Sequence, residues 1–394
     1  MRALLTGIAS AASSRQAVAG SAGVGKTTLV QQVKAEALRA GYWSTDALVP
    51  IYPGDTTDAP IVRILGAMYE TVLAMLGPRL EYEEAGREAK QLVRTFRVAS
   101  GGLTLGHPVV GTVGGTRGEQ VVTPPGVGLL EGPRLIRRLL TLAEIEGARG
   151  VLLHLDNLEH LTDADERAAA QTLRGLRDPL FLQSGLHTIA VGTTDAVHGV
   201  LMSTPQMRSV WATPMILAPL TAAQLDALLA ARYHYLVHDE SRPVVPPIAP
   251  DAVAILYTLY QGDLRGTLRA LDEGAQLLLG YGAAGGTAPL TYPELASVLG
   301  QRYRTELTTS LDERRLGKFE ALTATGGKAW TQAELGGIWQ LSQSRVSRLA
   351  RDLVARGYLV VLPRVTGEPG RYALSGTSRI IFQGADRPRV QQAF

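Results

Sequence analysis

Gly20-Ser21-Ala22-Gly23-Val24-Gly25-Lys26-Thr27 fills every fixed position of G-x-x-x-x-G-K-[ST], the pattern of a phosphate-binding loop. Glycines let backbone N–H groups curl around a phosphate with no β-carbon in the way. Lys26 brings a positive charge to the β- and γ-phosphates, and Thr27 a hydroxyl for Mg²⁺. Thr28 follows in a helix whose opening turn points its positive dipole end at the same anion. Ala17-Val18-Ala19 before the loop reads as a strand, and Thr28 to Ala40 as a helix stopped by Gly41. The cofactors implied are ATP and Mg²⁺.

Working outward, Asp46 to Tyr52 reads as a second strand. Pro60 then opens a helix with Ile61, Ile64, Leu65, Met68, Val72, Leu73 and Leu76 on one face, ended by Gly77-Pro78. Strand, loop, helix, strand, helix implies an α/β fold: a parallel sheet with helices on both faces. Leu80 to Val98 reads as a charged helix. Residues 99–128 lack any helical period and are rich in Gly, Val, Thr and Pro. They read as an inserted hairpin or an irregular loop, offering Arg117 to DNA, a neighbouring subunit or another protein. Glu131 to Ala148 returns to helix.

Val151-Leu152-Leu153-His154-Leu155-Asp156 is an apolar strand ending in an acid. Behind a phosphate loop, such an acid holds the Mg²⁺ shell, and a second acid beyond it polarises the attacking water. Asn157 follows and cannot act as a base, which leaves Glu159 for that role or makes hydrolysis slow. His187 to Val191 is a further strand, after which Thr193 or Thr194 can reach the γ-phosphate or the water.

The net charge of +3 divides unevenly. Residues 301–394 hold 15 Lys and Arg against 8 Asp and Glu, a net +7, and the remainder carries −4. A basic end on a mildly acidic body points to nucleic acid. In that end, Trp330 to Leu335 starts a helix with Thr331 as cap and Glu334 three residues on. Ser342 starts another running to Arg356, where Gly357 stops it. Val346, Leu349, Leu353 and Val354 share one face; Gln343, Ser344, Arg345, Ser347, Arg348 and Arg351 supply the polar side. Tyr358 to Leu362 and Arg371 to Leu374 form a hairpin. Together these make a winged helix-turn-helix, with the polar helix face suited to a major groove and Arg364 and Arg371 to phosphates. The same module also serves protein contacts.

With Gly262-Asp263-Leu264-Arg265 opening a helix after the Pro-rich stretch 238–250, the chain resembles an AAA+ ATPase, and within that group the origin-recognition and replication initiators. The resemblance implies an ATPase base over 1–240, a helical lid over 241–300 and a winged helix over 301–394. It implies Gly20, Ser21, Ala22, Gly23, Val24, Gly25, Lys26, Thr27 and Thr28 as the nucleotide loop, and Asp156 as the Mg²⁺-binding acid. Thr193 becomes a nucleotide sensor and Arg265 a second one on the lid. Arg208 is an arginine finger reaching a neighbour's ATP, or a surface arginine. It further implies nucleotide-dependent self-association on duplex DNA, for replication initiation, helicase loading, transposition targeting, or a mobile-element or defence task.

Asp156 to Leu161 also resembles the STAND signalling ATPases, which supplies a rival: a signal-gated ATPase regulating transcription. That group carries a long sensor region after the lid, where this chain has the winged helix. A third reading is an ATPase scaffold whose winged helix binds protein. Cysteine is absent, which excludes disulfides and thiolate chemistry. No run approaches the ~18 apolar residues of a membrane span. Met1 to Ala12 is read as a first helix on the nucleotide domain rather than a leader. These features suit a cytoplasmic protein.

Overall fold

The computed structural model describes residues 1–52, 54–99, 126–156, 158, 163–236, 246–280, 288–326, 328–362 and 369–383. By internal contacts these fall into two units: Met1–Gly20 with Lys26–Leu217, and Ser21–Gly25 with Ala218–Phe394.

The first unit runs α1 (Arg2–Ala9), β1 (Ser14–Ala19), α2 (Lys26–Arg39), β2 (Leu48–Pro50) and α3 (Asp58–Leu76), then a 3-10 turn (Gly77–Glu81) and α4 (Glu84–Ala99). After the insert come α5 (Val127–Ile145), β3 (Val151–Asp156), α6 (Asp163–Gly175), β4 (Leu186–Gly192), α7 (Thr194–Leu201), α8 (Pro205–Arg208) and β5 (Met215–Ile216). The five strands form one parallel sheet in the order β2-β3-β4-β1-β5. The expected α/β fold with a parallel sheet is therefore present.

Both faces of the sheet are covered, which is why β4 is buried at every position rather than alternately, with His187 and Thr188 buried among its apolar residues. Val18, Leu152, Ile189 and Val191 pack with Leu4, Ile8, Val30 and Val33 of α1 and α2. Ala17, Leu153, Leu155 and Ala190 belong to the larger core with α3, α5, α6 and α7. The helix α3 is close-packed on α5: a β-carbon on Gly132 would fall 2.3 Å from Ile61. Asp58 at the head of α3 also accepts from Gly126 N and Leu129 N, at 3.1 and 2.7 Å, and so caps α5. The stretch Asp58–Glu81 is long and apolar enough to cross a membrane, contrary to the sequence expectation, but two-thirds of it (67%) is buried here as a core helix.

The second unit carries α9 (Ala222–Leu236), α10 (Pro250–Leu259), α11 (Leu264–Leu279), α12 (Tyr292–Ser310), α13 (Glu313–Ala324), β6 (Trp330–Thr331), α14 (Gln332–Trp339), α15 (Gln343–Ala355), β7 (Leu359–Val361), β8 (Arg371–Leu374) and α16 (Gly376–Gln383). Its three strands form an antiparallel sheet, β6-β8-β7. Thr331 and Glu334 make the capping box of α14, and α15 stops where Gly357 adopts φ +76°. Leu256, Leu295, Leu299, Phe319, Trp339, Val346 and Leu353 share one core.

Three sequence expectations change. The boundary placed between 300 and 301 falls inside α12, a 19-residue helix whose Leu295, Leu299, Tyr303 and Leu307 line that core without a break. The helix expected over Leu80–Val98 is a 3-10 turn followed by α4, because Leu80 turns into the core under the chain. The expected two-stranded hairpin gains a third strand, β6, only two residues long and invisible to periodicity. The segment 100–125, which holds the expected hairpin, lies outside the described residues.

Candidate nucleotide site and nucleic-acid interface

The site is built at the carboxyl-terminal end of the parallel sheet. Ala19 pairs with Gly192 and Leu155 with Ala190, so the carboxyl ends of β1, β4 and β3 stand side by side. Gly20 follows β1, Asp156 ends β3 and Thr193 follows β4, which brings these three expected residues to that end. Crevices beyond the carboxyl ends of strands are where open α/β sheets bind ligands.

Lys26 opens α2 and is 5% exposed. Its Nζ donates to the carbonyl oxygen of Gly20 at 3.2 Å, so the two ends of the loop meet. Gly23 and Gly25 adopt φ +74° and +95°, which L side chains rarely do, and Val24 between them is buried. A β-carbon on Gly25 would meet nothing within 4 Å, so the space beside it is open. At Gly23 that β-carbon would fall 1.6 Å from Asp263 Oδ1 within the second unit. Thr27 is half-buried and Thr28 exposed.

Asp156 is partly exposed, with 17% of its side chain accessible. It offers an oxygen donor of the kind Mg²⁺ prefers, as does Thr27, and phosphate oxygens and water complete such a shell. Among the described residues no cluster of three His, Asp or Glu side chains gathers that could hold a metal by itself. Thr193 caps α7: its Oγ1 accepts from Ala196 N at 3.3 Å, which leaves the hydroxyl proton free to donate. Arg208 ends α8 and is exposed. Arg265 lies exposed in the first turn of α11, in the second unit; Asp263 before it accepts from Gly266 N at 3.0 Å and caps that helix. Asn157 and Glu159 lie outside the described residues.

Two residues at this end were not anticipated. Lys34 is buried on α2, and its Nζ donates to the carbonyls of Thr45 at 2.8 Å and Ala47 at 3.0 Å. Burial pushes its ammonium down to about 8, against the opposing pull of Asp46 and Asp156. His154 is wholly buried, and burial together with Lys34 pushes it down to about 3, so the ring is neutral and its 3.9 Å approach to Asp156 is no ion pair. The clue was a lysine standing in the apolar stripe of Val30, Val33 and Ala37. Arg63 pairs with Asp55 and lies 4.9 Å over the Tyr52 ring, fixing the turn after β2.

In the second unit, α15 buries Val346, Ala350 and Leu353 and exposes Gln343, Ser344, Arg345, Arg348 and Arg351, with Ser347 half-buried. Ser342 holds the cap position, but its hydroxyl caps no backbone N–H; it bonds instead to Ser344 Oγ at 3.5 Å. Arg371 on β8 is exposed; Arg364 lies outside the described residues.

No protein-family model and no curated protein sequence matches the chain. Among solved structures it is similar to the ORC1 protein of Aeropyrum pernix in complex with DNA, at 15% identity and TM-score 0.44, covering 97% of this chain and 91% of that one. It is similar to the A. pernix ORC2 protein in its ADP form, at 14% identity and TM-score 0.45, covering 98% and 90%. Cdc6p from Pyrobaculum aerophilum matches at 13% identity and TM-score 0.39, covering 94% and 87%.

Proposed function

We propose that the chain is an AAA+ ATPase of the origin-recognition type, which binds ATP with Mg²⁺ and engages double-stranded DNA through its terminal winged helix. The observation that carries this reading is the end of the sheet where Gly20, Lys26, Asp156 and Thr193 converge, in a chain that also bears a helix-turn-helix with a basic, exposed face.

In this reading the N–H groups of Ser21 to Thr27 hold the phosphates, and Lys26 leaves the Gly20 carbonyl to meet their oxygens. Thr27 and Asp156 would hold Mg²⁺, which when bound would supply positive charge against the phosphate oxygens. Thr193 donates its hydroxyl proton towards the γ-phosphate or the attacking water. Glu159 takes the water's proton slowly or not at all, since Asn157 stands where a base is expected. ATP then works mainly as a switch for self-association, with Arg208 as the residue that reaches a neighbour's ATP and Arg265 as a nucleotide sensor.

The test is ATP binding by the whole chain with and without Mg²⁺, beside duplex-DNA binding, for the unsubstituted protein and Lys26→Ala. Loss of ATP binding in Lys26→Ala supports the site; ATP binding unchanged by that substitution removes it.

A further inference from the structure

The helix α15 carries two polar faces, and they look onto different surroundings. Successive residues turn by about 100° around a helix. Ser344, Ser347 and Arg351 therefore fall on one side of the exposed surface, while Arg345, Arg348 and Asp352 fall on the other. The second side lines a groove of about 390 Å³ whose opposite wall is the first turns of α13, with Arg314, Arg315 and Lys318. Five cations and two carboxylates, Asp312 and Asp352, face this groove, a net +3.

The charges are not equally committed. Asp352 is shared by Arg315 at 3.4 Å and Arg356 at 3.1 Å, and Asp312 sits 3.3 Å from Arg315. Lys318 donates to the Trp339 carbonyl at 2.6 Å. Arg314, Arg345 and Arg348 have no side-chain acceptor among the described residues. Three uncommitted guanidinium forks around one groove suit the paired oxygens of a phosphodiester. The walls are firm: Trp339 Nε1 donates back to the Lys318 carbonyl at 2.9 Å, which ties α13 to the end of α14.

We infer that the groove between α13 and α15 seats a phosphate of the DNA backbone, so that Arg345 and Arg348 position the duplex together with Arg314 while Ser344, Ser347 and Arg351 meet base edges. This rests on the DNA-binding reading above. It adds a contact helix, α13, and divides the residues of α15 by role.

The experiment is fluorescence anisotropy of the full chain with ATP across a salt series, on one AT-rich and one GC-rich duplex. Arg314→Gln and Arg348→Gln are compared with Arg302→Gln, which removes an exposed charge of α12 outside the groove. Phosphate contacts release counterions, so each groove variant should weaken both duplexes by the same factor and flatten the log K against log salt slope by about 1. Arg302→Gln should leave the slope in place. Arg314→Gln with the slope of the unsubstituted protein overturns the inference, as does Arg348→Gln weakening one duplex alone. Absence of DNA binding by the unsubstituted chain overturns both this inference and the DNA-binding reading.

Discussion

Lys318 and Trp339 hold each other through two hydrogen bonds, Lys318 Nζ to the Trp339 carbonyl and Trp339 Nε1 to the Lys318 carbonyl. The indole is fully buried, so this pair fixes α13 against α14 and sets the frame of the helix-turn-helix. Trp339→Phe keeps most of the apolar volume and loses the indole N–H; a cost of about 1 kcal/mol is expected. Trp339→Ala leaves a cavity as well, and about 3–5 kcal/mol is expected. Urea unfolding followed by circular dichroism measures both.

Gly25 adopts φ +95° in open surroundings. Gly25→Ala meets no clash, and its backbone strain costs on the order of 1 kcal/mol. Nucleotide binding should fall far more than stability does, because in the proposed reading the new β-carbon enters the phosphate cradle. Titration with a fluorescent ATP analogue beside a thermal melt separates the two effects.

In the proposed reading Asp156 meets Mg²⁺ rather than ATP. In Asp156→Asn the ratio of ATP affinities with Mg²⁺ and with EDTA should collapse towards one, while the affinity in EDTA holds. Isothermal titration in the two buffers checks this.

His187 is buried on β4, with Nδ1 2.9 Å from Ser14 Oγ, and burial aided by Arg15 pushes its pKa from 6.5 to about 4. The ring is therefore neutral in the fold. As pH falls below 6.5 the unfolded chain takes up a proton that the folded chain refuses until about 4. Stability should drop through that window, by at most about 1.4 kcal/mol per pH unit from this residue. His187→Gln should flatten the drop, measured as urea midpoints between those two pH values.

What the sequence made legible were features with fixed local spacing. Gly20 to Thr27 carries its own pattern, the apolar face of α3 repeats at helical period, and the Thr331–Glu334 box lies within one turn. What it hid depends on distant partners. Asp58 caps a helix some 70 residues away, and Lys34 finds its carbonyl acceptors in a loop that only tertiary packing brings near. His154 reads as a polar interruption of an apolar strand, yet it is wholly buried. The groove residues Arg314, Arg315 and Lys318 look like an ordinary charged helix end until α15 is set beside them. The uninterrupted α12 could not be anticipated because the basic composition shifts near residue 301 while the helix does not.

In the proposed reading, nucleotide at the Gly20–Thr27 loop controls DNA binding by the winged helix. The most direct measurement is duplex binding by fluorescence anisotropy with ATP, with ADP and without nucleotide, for the unsubstituted chain and Lys26→Ala. Tighter binding with ATP, lost in Lys26→Ala, is the predicted result. Equal binding in all three nucleotide states, with Lys26→Ala indistinguishable from the unsubstituted chain, would contradict it.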